Sequence, residues 1–592
     1  MKLSDYVMEF LVEKNVRHVF MLPGGGCMHL VDSLGRNDKL GYTACLHEQA
    51  ASIAAESYAQ HTNTLSACLV TTGPGGTNAM TGLAAAWIDS TPVMFISGQV
   101  KRSDIAAASG VRQKGAQEIN IVAAVQAFTK YAVTVMEPKE IRKILEQAYW
   151  AAVTGRRGPV WIDVPLDVQA AEIDENKLQG FHPVLEEKNS FDHILLQIKV
   201  TLESAKRPLV LVGNGVKSAG MEKQLCDFSH KNNIPVLLTW KMIDMMDFKD
   251  EMNFGCPGVM GHRYANFILQ NADTLLILGS RLDSSITAWN HQNFAPMAKK
   301  IMIDIDEKEI KKMDMPLEIM LVADLRDVVP KMLKWRLSLN QESLKKWLNY
   351  CKNMHERYPA VTDDMREEIN FVNAHAFIEK LSHKLVAEDV IVPESSGGAG
   401  EITYQAFQVK KGQKIKNAAG LGSMGFGLPY AIGACVANNR RRTVLVNGDG
   451  AFQLNIQELS TVVGNNLPIK IFIWENGGYA SIQATQRNFF EGNYVGADKG
   501  SKLYIPDISR VASAYGLKTF YMENNSEMET VIDKVLSCDG PALCVVNVSS
   551  LEVAMPRVKS IKLEDGRMIS QPLDDMWPYL SKQEINQNRI RD

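Results

Sequence analysis

The chain has 592 residues, 46% of them apolar and 22% charged, with a net charge of −3 and both signs mixed along its length. That composition is globular and long enough for several large cores, and it excludes a polybasic nucleic-acid or membrane surface. The nine cysteines include no C-x-x-C pair, and Cys27, Cys45, Cys68 and Cys435, in apolar or glycine-rich runs, read as small buried residues of a reducing compartment.

The N-terminus, MKLSDYVMEFLVEKNVRHVF, predicts an amphipathic helix running into a strand. It lacks the apolar core and cleavage site of a signal peptide. No apolar run approaches the roughly 20 residues that span a bilayer. The expectation is a cytoplasmic protein with no membrane and no nucleic-acid partner. Short apolar runs then alternate with helix-like segments: RHVFML, LSACLVTT, TPVMFISG, GPVWIDV, RPLVLVG, DTLLILG, KKIMIDID, DVIVPESS, RTVLVNG, IKIFIWE and PALCVVNV. Many are apolar at both parities, as in parallel strands covered on both faces. Two polar stretches, DENKLQGFHPVLEEKNS and LKKWLNYCKNMHERYPAVTDDMREE, divide the pattern. The prediction is three α/β domains near 1–180, 190–340 and 370–555, with a tail at 556–592 that packs on the body.

The segment VLVNGDGAF places one acid between two glycines at the end of an apolar strand. AFQLNIQELSTVVGNN has helical spacing, and IKIFIWEN is a second strand ending at Asn476-Gly477-Gly478. A right-handed crossover brings Asp449 and Asn476 to one carboxyl edge, where open α/β sheets bind ligands. A carboxylate, an amide oxygen and a turn carbonyl are hard ligands suited to Mg²⁺. Gly448 and Gly450 offer backbone N–H groups to phosphates. The plainer alternative is an Asp capping a helix.

The GDG…N pattern resembles the diphosphate motif of thiamine-diphosphate (ThDP) enzymes, and the likeness is closest to the acetolactate synthase (acetohydroxyacid synthase)-like branch. It also rests on VFMLPGGGCMHLVDSL, HEQAASIAAESYA, TTGPGGTNAMTGLAAAWIDSTPVMFISGQV, GRRGPVWIDVPLDVQ and GLGSMGFGLPYAIGA, and covers most of the chain. The resemblance implies three doubly wound parallel-sheet domains: pyrimidine-binding, central and diphosphate-binding. It implies a homodimer or homotetramer with active sites between the first domain of one subunit and the third of another. Asp449, Asn476 and the Gly478 carbonyl match the Mg²⁺ ligands, with Ala451 and Tyr479 beside them. Glu48 matches the carboxylate that exchanges a proton with the cofactor pyrimidine; read alone, it is a first-turn helix acid. Met424 matches the apolar brace of the bent cofactor, and the Gly422 carbonyl matches the acceptor for its amine. Gln117, Gly25 and Gly26 match positions close to the reacting carbon. In the central domain GSRLDSSITAWN and KKIMIDIDEKE are similar to flavin-contacting segments, with Arg281 and Asp304 the principal matches. FAD is therefore expected, without a redox role; the alternative is a domain that keeps the fold and not the flavin.

Departures from the acetolactate synthase pattern bear on substrate. Thr485 stands where the family has a Trp, Ala116 for a Phe, Leu166 for a Lys, Glu475 for an Asn, and Gly398-Ala399, after Gly397, for a Gln-His pair. Ala116, Ile482 and Thr485 would line a wide acceptor pocket. With NFFEGN and the tail, this looks like a sub-branch of polysaccharide sugar pathways. It implies a pyruvate-dependent carboligase with a larger carbonyl acceptor, such as a nucleotide keto-sugar. The alternatives are acetolactate synthesis from two pyruvates, a simple decarboxylase or oxidase, and a catalytically silent subunit.

Overall fold

The runs apolar at both parities become the inner strands of three parallel sheets, which helices cover on both faces. The computed structural model describes residues 1–106, 109–184 and 190–590; part of the first polar connector, 185–189, and the tail end, 591–592, lie outside them.

The first sheet contains β1 (His18–Met21), β2 (Gly41–Ala44), β3 (Ser66–Val70), β4 (Val93–Gln99), β5 (Tyr131–Thr134) and β6 (Val160–Pro165), in the order β2-β1-β3-β4-β6-β5. The second contains β7 (Pro208–Val212), β8 (Val236–Leu238), β9 (Thr274–Leu278), β10 (Lys299–Asp304) and β11 (Ile319–Val322), in the order β11-β10-β9-β7-β8. The third contains β12 (Val390–Pro393), β13 (Lys414–Ile415), β14 (Thr443–Gly448), β15 (Ile469–Glu475), β16 (Lys518–Met522) and β17 (Ala542–Asn547). Its order, β13-β12-β14-β15-β17-β16, repeats that of the first sheet. In each sheet the order reverses beside the first strand, which opens a crevice at the carboxyl edge.

Five helices matter for the site: α1 (Glu48–Thr62), α2 (Pro74–Ile88), α3 (Gly398–Ala406), α4 (Gly427–Ala437) and α5 (Ala480–Phe489). Helices α1 and α4 cross closely because their contact is built from small residues. A Cβ at Gly433 would sit 2.1 Å from the Ala54 carbonyl, and Ser57 Oγ donates to the Tyr430 carbonyl at 2.7 Å. This crossing joins the first and third sheets into one core.

The helix expected after Asp449 is broken. It runs as Asp449–Phe452, a 3-10 turn over Gln453–Glu458, and Leu459–Gly464. Asn455 leaves helical geometry (φ −137°) to donate to the Gly425 carbonyl at 2.7 Å and to Gln49 Oε1 at 3.1 Å. The tail closes on the central domain: Arg589 pairs with buried Asp574 at 2.6 Å, and Arg263 donates to the Met576 and Pro578 carbonyls. Among the described residues no helix is long and apolar enough to cross a membrane.

Candidate active site

Strands β14 and β15 are parallel neighbours, with Gly448 opposite Trp474. The crossover therefore delivers Asp449 and Asn476 to one edge. The Asp449 carboxylate accepts from the N–H groups of Gly450 (2.6 Å), Asn476 (3.2 Å), Gly477 (2.9 Å) and Gly478 (3.1 Å). Burial pushes its pKa up to about 6, although these N–H groups favour the carboxylate. Positive φ at Gly477 (80°) and Gly478 (117°) folds the turn back over the acid.

The Asn476 amide reaches Asp449 Oδ1 at 3.1 Å and the Gly478 carbonyl at 3.2 Å. With nitrogen inward it donates to both. With oxygen inward, the Asn476 oxygen stands from each of the other two at close to the ~3 Å edge of an octahedron having metal–oxygen distances of about 2.1 Å. The donor set thus fits Mg²⁺. No group of three or more His, Cys, Asp or Glu side chains able to hold a metal occurs among the described residues.

Two of the expected phosphate donors are already committed. The Gly448 N–H donates to Asn447 Oδ1 at 2.8 Å, and the Gly450 N–H to Asp449 itself. The glycines have steric roles instead. A Cβ at Gly448 would meet nothing within 4 Å, so this position faces open space, whereas one at Gly450 would lie 2.6 Å from the Tyr479 ring. Ala451 is buried beside them.

Two further loops border this edge. Gly397 (φ 77°) leads into α3 at Gly398, and Gly422 (φ 63°) and half-buried Met424 lie in the loop before α4. Glu48 is the first residue of α1 and is buried; His47 caps that helix by accepting the Gln49 N–H at 3.1 Å. Asn78, on α2, donates to Glu48 Oε2 at 3.0 Å. The TTGPGGTNAM motif holds Asn78 in plain view, but nothing in its spacing announces this partnership. Leu46 and Gln49, on either side of Glu48, bond to Glu458 (3.0 Å) and Asn455 (3.1 Å). No hydrogen bond joins Glu48 to the Asp449 turn within the protomer, among the described residues.

Gln117 has φ 64°, and its carbonyl occupies the place of a Cβ at Gly73, 2.1 Å away. Only glycine at 73 admits this approach. Gly25 faces open space, but Gly26 is tied down: its N–H donates to Thr71 Oγ1 at 3.2 Å and its carbonyl accepts from Gln169 at 2.7 Å. Ala116, Gln117, Ile482 and Thr485 are exposed in the protomer. The Thr485 hydroxyl is spent on the Ser481 carbonyl of α5 at 3.0 Å. Leu166 begins a short helix after β6. Glu475 has a raised pKa from partial burial beside Asp507 and Glu523.

A separate cavity of about 260 Å³ lies at the carboxyl edge of the central sheet, where the loops after β7, β9 and β10 meet. Gly213 and Gly279-Ser280 allow these loops to touch, since a Cβ at 213 would lie 2.4 Å from the Gly279 carbonyl. Arg281 and Asp304 both line the cavity. Asp304 is buried, which raises its pKa, and it accepts the Asp306 N–H at 2.9 Å. Asp306 is itself paired with Arg156 of the first domain at 3.0 Å. Ala419 and Gly420 of the third domain close the cavity floor.

Comparison with known proteins agrees with the three-domain order. Residues 1–124 match the N-terminal TPP binding domain of thiamine pyrophosphate enzymes, 197–332 their central domain, and 396–546 their C-terminal TPP binding domain. The chain is 32% identical over 556 residues to the acetolactate synthase isozyme 2 large subunit of Escherichia coli, covering 94% of this chain and 97% of that protein. It is 32% identical to the acetolactate synthase large subunit of Corynebacterium glutamicum over 89% of this chain and 83% of that one. It is 31% identical to an acetolactate synthase of Arthrospira platensis over 93% and 95%.

Proposed function

Because the chain belongs to the thiamine pyrophosphate (thiamine diphosphate) enzyme family, we propose that it is a Mg²⁺-dependent carboligase that takes a two-carbon unit from pyruvate. It is an enzyme of the acetolactate synthase type. The observation that carries the proposal is the convergence of three ligand groups, the Asn476 amide standing 3.1 Å from Asp449 Oδ1 and 3.2 Å from the Gly478 carbonyl. Bound ThDP supplies a carbon nucleophile and a sink for the electron pair released when CO₂ leaves. The other tasks fall to the chain. Asp449, Asn476 and Gly478 would hold the Mg²⁺ that carries the diphosphate, in the space above Gly448. Gly422 and Met424 would orient the pyrimidine. Glu48, fixed by Asn78, would exchange the proton at the pyrimidine nitrogen. Gly25 and Gln117 would border the reacting carbon.

Glu48 and the Asp449 turn have no bond to each other in one protomer, while Met28, Leu46 and Leu454 stand exposed. This supports a homodimer or larger oligomer whose sites are completed across the interface. The glycine-walled central cavity, with Arg281 and Asp304, suits FAD: a guanidinium can meet its diphosphate.

For the acceptor, the relatives favour a second pyruvate, giving acetolactate. A larger aldehyde or ketone, such as a keto-sugar, is the second reading, and small, exposed Ala116 and Thr485 are what favour it. Incubation with ThDP, Mg²⁺ and pyruvate, alone and with added ketones and nucleotide 4-keto sugars, tests both by mass spectrometry. Acetolactate formed whatever else is present supports the first. A product two carbons larger than an added ketone supports the second. No ThDP-dependent loss of pyruvate would overturn the proposal.

A further inference from the structure

Glu394 directly follows β12 at the crevice between β12 and β14, and it is not among the residues assigned to the cofactor or the substrate above. It is fully buried. Its backbone N–H donates to the Val446 carbonyl at 2.9 Å, and its own carbonyl accepts from Asn417 Nδ2 at 3.1 Å. One carboxylate oxygen accepts the Ser395 N–H at 2.8 Å; the other accepts the Gly427 N–H, the first of α4, at 3.0 Å. The Asn447 side chain lies against the same carboxylate, and its oxygen accepts the Gly448 N–H at 2.8 Å. The contact is tight: a Cβ at Gly427 would lie 2.8 Å from Asn447 Nδ2 and 2.9 Å from Glu394 Oε2. Ser395 extends the link by accepting the Ala418 N–H at 3.0 Å.

Each partner begins or ends a loop of the cofactor cradle. Ser395 leads to Gly397-Gly398, Asn417 and Gly427 bracket Gly422 and Met424, and Asn447 precedes Gly448-Asp449. We infer that Glu394 is a positioning residue for ThDP, holding the three cradle loops in mutual register through one buried carboxylate. This inference rests on the ThDP reading of the site. The groups facing the carboxylate are uncharged: the N–H groups of Ser395, Phe426 and Gly427, and the Asn447 amide. Glu394 acts where a polar hub costs most to disturb, because a buried N–H left without an acceptor is not rescued by water. Replacement by Gln leaves one of the two N–H donors facing an NH₂ group, with little change in volume.

The test titrates ThDP, in Mg²⁺ buffer, into full-length wild type, E394Q and G427A. Binding is read by intrinsic fluorescence, kcat is measured at saturating ThDP, and cofactor-free melting is recorded alongside. Losing a group that orients the residues touching a ligand weakens binding by about 10- to 100-fold, so we expect E394Q to bind ThDP at least about tenfold more weakly. Its kcat at saturating ThDP should stay within about threefold of wild type, with melting shifted by only a few degrees. A purely structural role would lower melting without this split between cofactor affinity and turnover. Folded E394Q with wild-type ThDP affinity would overturn the inference. If E394Q does not fold, G427A presses on the same contact from the α4 side: weakened ThDP binding supports the inference and unchanged binding overturns it. Failure of the wild type to bind ThDP would overturn the cofactor reading itself, and this inference with it.

Discussion

Asp449 illustrates how a single residue is set by its neighbours. Four backbone N–H groups hold its carboxylate, yet burial still raises its pKa to about 6. A cation alongside Asn476 and Gly478 would relieve that tension. We expect Asp449→Ala to weaken Mg²⁺-dependent ThDP binding by at least about tenfold in a titration; unchanged affinity would remove Asp449 from the metal site. Glu48→Gln should keep the fold and ThDP binding while pyruvate turnover falls by roughly a hundredfold or more. Near-normal turnover would remove its proton-transfer role. At this scale the sequence was legible where side-chain type and spacing meet, as in the GDG…N pattern. It was not legible where a contact crosses the fold. Asn78 on Glu48 and Glu394 on Gly427 join residues 30 and 33 positions apart with no periodicity to announce them. Nor could spacing reveal that the Gly448 and Gly450 N–H groups are taken up by local side chains.

Among the elements, every apolar run read as a strand is a strand, because inner strands of parallel sheets bury both parities. The missed strands are mainly edges: β2, β5, β11 and β16 are partly exposed, and β8 and β13 are only 3 and 2 residues long. Mixed polarity hides β2, β5, β13 and β16 from a pattern search, and the wholly apolar β8 (VLL) and β11 (IMLV) are too short to stand out. Strand β6 supplies a separate test. Asp163 on it is fully buried among Ser97, Gln99 and Thr134, and desolvation lifts its pKa from 3.8 to about 7. Between these values the folded state holds a proton that the unfolded state has lost. Stability from this group therefore falls as pH rises from about 4 to 7, by up to roughly 1.4 kcal/mol per unit. We expect Asp163→Asn to abolish that slope, so that melting temperatures of variant and wild type diverge in the variant's favour from pH 5 to pH 8. Parallel pH curves would show that Asp163 does not titrate in the fold.

At the scale of the molecule, the three domains meet around buried charge. Lys416 of the third domain pairs with Asp244 of the central one at 2.8 Å, and Lys241 pairs with Asp89 of the first at 2.8 Å. Lys416 holds the Asp244 carboxyl below its usual range, despite complete burial. Removing one partner strands the other charge, so Asp244→Asn should cost about 3–5 kcal/mol, seen as a lowered melting temperature. A melting temperature equal to wild type would mean the pair adds nothing to domain assembly. A second junction, between subunits, has to complete the site if Glu48 serves a cofactor held by another copy's Asp449. The most direct measurement mixes the inactive variants Glu48→Gln and Asp449→Ala, dissociates and reassembles them, and assays ThDP-dependent pyruvate consumption. Each mixed dimer would regain one intact site, so we predict recovery to about a quarter of wild-type activity. Mixed dimers that form but stay as inactive as either parent would contradict a ThDP site shared between subunits.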